Sequence, residues 1–100
     1  MREKVLKIIR RYGLRHQLRK LTEEIFELHE AITEYEMYRR SALPSLSVEN
    51  KYKKHIEEEF ADVLVLLSQI KHYYNLDSEK IKEIMDYKIN RQLDRMNRGE

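Results

Sequence analysis

The chain has 100 residues, 41% of them hydrophobic and 38% charged, and a net charge of +2. With two Gly and one Pro, it lacks the turn residues that a sandwich, barrel or hairpin-rich fold requires. With no Cys, disulfides, thiolate zinc sites and thiol nucleophiles are excluded.

Lys, Glu, Leu, Ile and Arg dominate, which is the composition of long helices. The size predicts one all-α domain over residues 1–100, close to the lower limit for a self-sufficient core. No apolar run reaches the ~20 residues of a membrane span, and no signal-type segment follows Met1-Arg2-Glu3-Lys4. The expectation is a cytoplasmic protein without a membrane partner.

Four helices are predicted in chain order. The first covers about 2–12 and is closed by Gly13 as a C-terminal glycine. The second covers about 14–41, with Leu18, Leu21, Ile25, Leu28, Ile32 and Tyr35 as its inner arc. The only loop-like cluster is Ser41-Ala42-Leu43-Pro44-Ser45-Leu46-Ser47, in which Ser45 or Ser47 can cap the third helix, about 48–74. There Ile56, Phe60, Val63, Leu67, Ile70 and Tyr74 form the arc, and Ala61–Leu67 is apolar around most of the helix. A helix apolar on several sides is buried on several sides. A four-helix bundle-like subunit assembling into a homo-oligomer, dimer or tetramer, is therefore expected. Asp77 caps the fourth helix, about 78–97, whose inner face carries Ile81, Ile84, Met85, Ile89 and Met96.

The charges are segregated. Residues 1–20 carry eight Lys/Arg and one Glu; residues 21–62 carry five Lys/Arg and eleven Asp/Glu. Most acidic positions belong to solvent faces, but four border apolar surface. Glu24 lies three residues after Leu21 and four before Leu28, and Glu27 follows on the same edge. Glu59 lies three after Ile56 and four before Val63, and Asp62 is embedded in the apolar run. These are two i, i+3 acidic pairs that antiparallel packing can bring together. Partly buried like charges raise one another's pKa. They need compensation, either from Lys/Arg of a neighbouring helix or from a hard divalent cation. Oxygen-only ligation selects Mg²⁺ or Mn²⁺. A ferritin-like di-iron site requires Glu-x-x-His, which none of His16, His29, His55 and His72 supplies. Glycosidase chemistry requires a sugar cleft, for which a small chain without Trp offers little.

The text Glu23-Glu24-Ile25-Phe26-Glu27, followed by Glu59-Phe60-Ala61-Asp62, reads EExxE…ExxD. With Gln17-Leu18-Arg19-Lys20-Leu21 before it, Val63–Leu67 after it and Lys88-Ile89-Asn90-Arg91 in the last helix, it resembles the MazG-like nucleotide pyrophosphohydrolases of the all-α NTP pyrophosphatase superfamily. The resemblance covers about residues 14–98. It departs at Phe26, where the family often has a small residue. It implies Mg²⁺-dependent hydrolysis of a (deoxy)nucleoside triphosphate to the monophosphate and pyrophosphate, with Glu24, Glu27, Glu59 and Asp62 as metal ligands.

In that chemistry a metal-bound water attacks the α-phosphorus, and Glu23 is the nearest further carboxylate to act as base. Lys88 falls inside the apolar arc of the fourth helix, either snorkelling or stabilising the leaving pyrophosphate. Arg91 and Arg95 can extend the anion path, and His16 and Gln17 can approach the nucleotide. Tyr12, Phe26 and Tyr73 are candidates to stack on a base. The competing reading is a non-catalytic helical interaction or regulatory module whose basic N-terminus binds nucleic acid or a partner protein. A module of that kind has no need of Asp62 inside an apolar run. On the hydrolase reading, nucleic acid is not an expected partner.

Overall fold

A computed structural model describes residues 1–41, 43 and 45–100. The described residues form four helices: α1 (Arg2–Tyr12), α2 (Leu14–Ser41), α3 (Leu46–Tyr73) and α4 (Ser78–Asn97), with no strand among them. Of the expected loop at 41–47, Ala42 and Pro44 lie outside the described residues. Ser41 already closes α2, and Leu46 and Ser47 already belong to α3. Among the described residues no helix is long and apolar enough to cross a membrane.

The helix boundaries follow local chemistry. Gly13 has φ 89° and ψ 150°, a conformation nearly closed to residues with a Cβ, and its N–H donates to the Ile9 carbonyl. The chain thereby turns between α1 and α2 without a connecting loop. Ser45 is the N-cap of α3, but its hydroxyl contacts Ser47 Oγ at 3.1 Å and makes no cap bond. The Asp77 side chain accepts from the N–H groups of Glu79 and Lys80, at 2.9 and 3.2 Å. This is the capping geometry expected from its position before Ser78.

Helices α2 and α3 form an antiparallel hairpin, and α1 docks across it, chiefly on α3. The apolar core is small: Val5, Leu6 and Ile9 of α1, Ala31 of α2, Val63 and Leu66 of α3. At the closed end of the hairpin, Tyr52 stacks on Tyr35 and Tyr38, with centroids 5.8 and 5.0 Å apart. The Tyr35 hydroxyl donates to Glu49 at 3.2 Å, and the Tyr38 hydroxyl accepts from the Ser45 N–H at 2.9 Å. Three of the seven tyrosines thus clamp the turn.

Two expectations about helix faces change. On α2 the buried seam is Gln17, Glu24 and Ala31, not the Leu18–Ile25–Ile32 side of the expected arc, which is exposed. On α3 the seam is Val63, Leu66 and Gln69: Val63 of the expected arc is buried and Ile56 and Ile70 are half-buried, while Phe60, Leu67 and Tyr74 are exposed. Helix α4 packs on none of the other three helices and buries no residue. Ile84, Met85, Ile89, Leu93 and Met96 stay about half exposed. Within one chain, then, the expected four-helix bundle is a packed group of three with a fourth helix standing free.

Candidate functional site

The α2–α3 seam carries polar residues where a hairpin of this length would ordinarily place aliphatic ones. Seven residues separate Gln17 from Glu24 on α2, and seven separate Asp62 from Gln69 on α3. Three separate Glu24 from Glu27, and three separate Glu59 from Asp62. Because the helices run antiparallel, these equal steps set the residues in facing pairs: Gln17 with Gln69, Glu24 with Asp62, Glu27 with Glu59. Both helices have the same rise per residue, so the register holds over the whole series.

The carboxylate end is crowded. One carboxylate oxygen each from Glu24, Glu27 and Glu59 lies within 4.8 Å of the others. Glu24 is 7% exposed, Glu59 is half-buried and Glu27 is exposed. Lys20 Nζ lies 3.4 Å from Glu24 Oε1, and His55 Nδ1 lies 3.9 Å from Glu59 Oε1. The second oxygens, Glu24 Oε2 and Glu59 Oε2, are buried and have no hydrogen-bond partner among the described residues. Burial pushes the Glu24 carboxyl above its ordinary value of 4.5; the neighbouring Glu27 carboxylate adds to the shift, Lys20 opposes it and the Asp62 charge adds further. The same pairing holds Lys20 more firmly protonated. Leaving a buried carboxylate oxygen unpaired is costly, and the two orphaned oxygens belong to residues of the same three-carboxylate group, on different helices. The set is all oxygen and carries excess negative charge, so the residues fit a hard divalent cation.

Asp62 differs from the expectation in part. It is exposed and outside the tight three-carboxylate group, because its side of the apolar run faces the cleft rather than the core. It still lines the same cleft as Glu24 and acts on its charge. That cleft, about 690 Å³, is bounded by α1, α2 and α3 and includes Glu24, Asp62 and Tyr12 in its lining, but not Glu27 or Glu59. Its size is in the range of small-molecule sites, about 300–1,000 Å³. Glu23, expected to face solvent on α2, forms part of its wall together with His16, Gln17 and Lys20.

At the other end, Gln17 and Gln69 are buried and bonded to each other, Gln17 Nε2 donating to Gln69 Oε1 at 2.8 Å. Gln17 Oε1 contacts His16 Nδ1 at 2.7 Å. An amide oxygen has no proton to give, so Nδ1 is the donor. The Tyr12 and His16 rings stack, with centroids 5.4 Å apart. Of the three aromatic candidates for stacking on a base, Tyr12 lines the cleft; Phe26 and Tyr73 do not.

Lys88, Arg91 and Arg95 do not reach this cleft within the chain. They lie exposed on the free helix α4, where Arg91 sits 5.8 Å over the Tyr87 ring. Lys20 and Gln69 are the site residues that sequence reasoning missed. Gln69 had a readable signal, since it lies three residues after Leu66 and six after Val63 on the buried seam. Lys20 had one too, four residues before Glu24. Comparison with protein-family models, curated proteins and solved structures finds no match to this chain.

Proposed function

We propose that this chain is a Mg²⁺-dependent nucleoside triphosphate pyrophosphohydrolase of the MazG-like type, working as a homodimer or homotetramer. The observation that carries the reading is the pair of buried, unpartnered oxygens on Glu24 and Glu59, within a group of three carboxylates from two helices. Glu24, Glu27 and Glu59 would hold the cation, with Asp62 beside them on the cleft wall. When bound, Mg²⁺ (or Mn²⁺) supplies charge neutralisation for the phosphates, Lewis-acid polarisation of the α-phosphoryl group and a lowered pKa for a ligated water.

The chain's own groups do the rest. Water oxygen bonds to the α-phosphorus, the bond from that phosphorus to the bridging oxygen breaks, and pyrophosphate leaves with the bond electrons. Glu23, exposed on the cleft wall, takes the proton of the attacking water. Lys20, held protonated beside Glu24, is a fixed positive charge within the same wall. It favours phosphate oxygens over water at the acidic end.

The oligomer rests on α4. A lone 20-residue helix with no packed face is marginal in water, and its apolar side is half exposed throughout. A second copy covers that side. It also gives Lys88, Arg91 and Arg95 access to an acidic seam that they do not reach in their own chain, with Lys88 countering the charge of departing pyrophosphate.

The test is pyrophosphate release from a panel of nucleoside triphosphates with Mg²⁺, wild type against Asp62→Ala and Glu24→Gln. Wild type should release pyrophosphate from at least one triphosphate. Each variant should lose about 10²–10³-fold in kcat, the scale on which one charge-stabilising group acts. Absence of release from every triphosphate, or equal release by the variants, leaves the helical interaction module as the reading of this chain.

A further inference from the structure

We infer that the outer face of α1, continued by the first turns of α2, is a docking surface for single-stranded nucleic acid, gripped through its phosphates and separate from the cleft.

Residues 1–20 carry eight Lys/Arg, with Glu3 as the sole carboxylate. Among the described residues only Lys20 of the eight pairs with a carboxylate, and Arg2 is bonded to Asn75 instead. Lys4, Lys7 and Arg11 are exposed and follow one another at three- and four-residue spacing. They form one stripe along α1, opposite the buried Val5, Leu6 and Ile9. After Gly13 the chain enters α2 without a loop, and Arg15 and Arg19 extend the charge over its first two turns. Like charges at these spacings repel along a helix. Arg15 also opposes the dipole of α2, whose first turn has no acidic residue. An ordinary solvated face mixes both signs. This one holds an excess of one sign, which a polyanion neutralises.

The fold decides which polyanion. Helix α1 spans the open end of the α2–α3 hairpin: near its start Arg2 Nη1 donates to Asn75 Oδ1, just beyond α3, at 3.2 Å, and its end runs into α2. Burial and the charges of Lys71 and Arg2 hold the nearby His72 ring below its ordinary value of 6.5, so the cationic surface reaches the end of α3. Tyr73 and Tyr74 stand exposed beside it, edge to face with centroids 5.0 Å apart. Exposed rings next to cations are the parts that hold single strands, whose bases are free to stack. A duplex hides its base faces. A membrane surface fits less well, because an interfacial helix buries its apolar side in lipid and the apolar side of α1 is already in the core. Lys4, Lys7 and Arg11 line no part of the cleft, so the surface stands whether or not the carboxylate seam hydrolyses triphosphates.

Fluorescence anisotropy with a labelled oligothymidylate of about 20 nucleotides, in EDTA so that no cation serves the carboxylates, measures this directly. Four phosphate contacts imply that affinity falls about 50-fold between about 50 and 200 mM salt. Lys4→Gln with Lys7→Gln and Arg11→Gln should abolish most binding at the lower salt and reduce the log–log salt slope by about 2. The same triple variant should release pyrophosphate as wild type does. Lys80→Gln with Lys82→Gln and Arg98→Gln removes equal charge from α4 and should bind the strand as wild type does. Tyr73→Leu with Tyr74→Leu should keep the salt slope, weaken single-strand binding about 10-fold and leave binding of a duplex of equal length unchanged. Circular dichroism confirms that each variant is helical. No binding by wild type, equal weakening by the α1 and α4 variants, single-strand binding unchanged in the tyrosine variant, or capture by phosphatidylserine vesicles alone overturns the inference.

Discussion

The carboxyl group of Glu24 is held above its ordinary value of 4.5 by burial and by the Glu27 charge, so pH acts on the fold through it. Between 4.5 and its raised folded value, the folded chain binds more protons than the unfolded one. Stability must then fall as pH rises through that window. Below it Glu24 is neutral in both states and its burial is least costly; above it the strain is fully present. Metal-free protein should accordingly lose melting temperature as pH climbs from 4.5 toward neutrality, and part of that loss should be reversed by millimolar Mg²⁺ or Mn²⁺. Glu24→Gln should melt higher than wild type at neutral pH without metal. Each kcal/mol relieved corresponds to about 4–8 °C in a domain of this size. The variant should also lose most of the cation-induced rise. A cation effect undiminished in Glu24→Gln would place the binding carboxylates elsewhere. At this scale the candidate ligands were legible, because two acidic pairs at helical spacing on apolar edges are visible in a string of letters. Gln69 was less so, since an amide inside an apolar register is conspicuous only once the register is known.

The helices owe their limits to a few residues. Gly13 occupies φ 89°, with open space where a Cβ would stand, so an alanine there meets backbone strain and no clash. Gly13→Ala should reduce unfolding free energy by about 1–3 kcal/mol, measured by urea titration. The loss falls on the docking of α1, whose Val5, Leu6 and Ile9 supply half of the buried hydrophobic residues. Because α1 also closes one side of the cleft, the same variant should bind nucleotide more weakly. Asp77 caps α4 through two N–H groups, and Asp77→Ala should cost that helix about 1 kcal/mol. The breakpoints at Gly13 and Asp77 were readable because glycine geometry and carboxylate capping are local. The inner faces of α2 and α3 were not. Both helices carry apolar residues around more than half their circumference, and periodicity does not say which part meets the rest of the same chain. On α2 the Leu18–Ile25–Ile32 side of the aliphatic arc is exposed and the polar seam beside it is buried, while on α3 the arc is split, with Val63 buried and Phe60 and Leu67 exposed.

The whole molecule is too open for a finished globule. Its radius of gyration is 17.6 Å, against about 13 Å for a compact chain of 100 residues. Helix α4 extends from the packed three, and apolar side chains stay half exposed on every one of the longer helices. If a second copy covers these faces, wild type should elute and scatter light as a dimer or tetramer. Ile84→Lys with Ile89→Lys should shift it to monomer and reduce the helical signal, since an unsupported α4 is marginal. Pyrophosphate release should fall in parallel. A double variant that remains oligomeric would move the interface to the exposed arcs of α2 and α3.

Helical periodicity, one glycine, one capping aspartate and two acidic pairs are local properties, and the sequence by itself determined them: an all-helical chain, its breaks, and carboxylates at the edge of apolar surface. Tertiary packing alone decided three other things. It put Gln17 and Gln69 against each other, it made Glu24 and Glu59 bury one oxygen each without a partner, and it left α4 with its basic residues away from the seam. Each depends on which faces of which helices meet. That is a competition among several apolar stripes of similar strength, settled by the register of α2 against α3 and by where α1 docks.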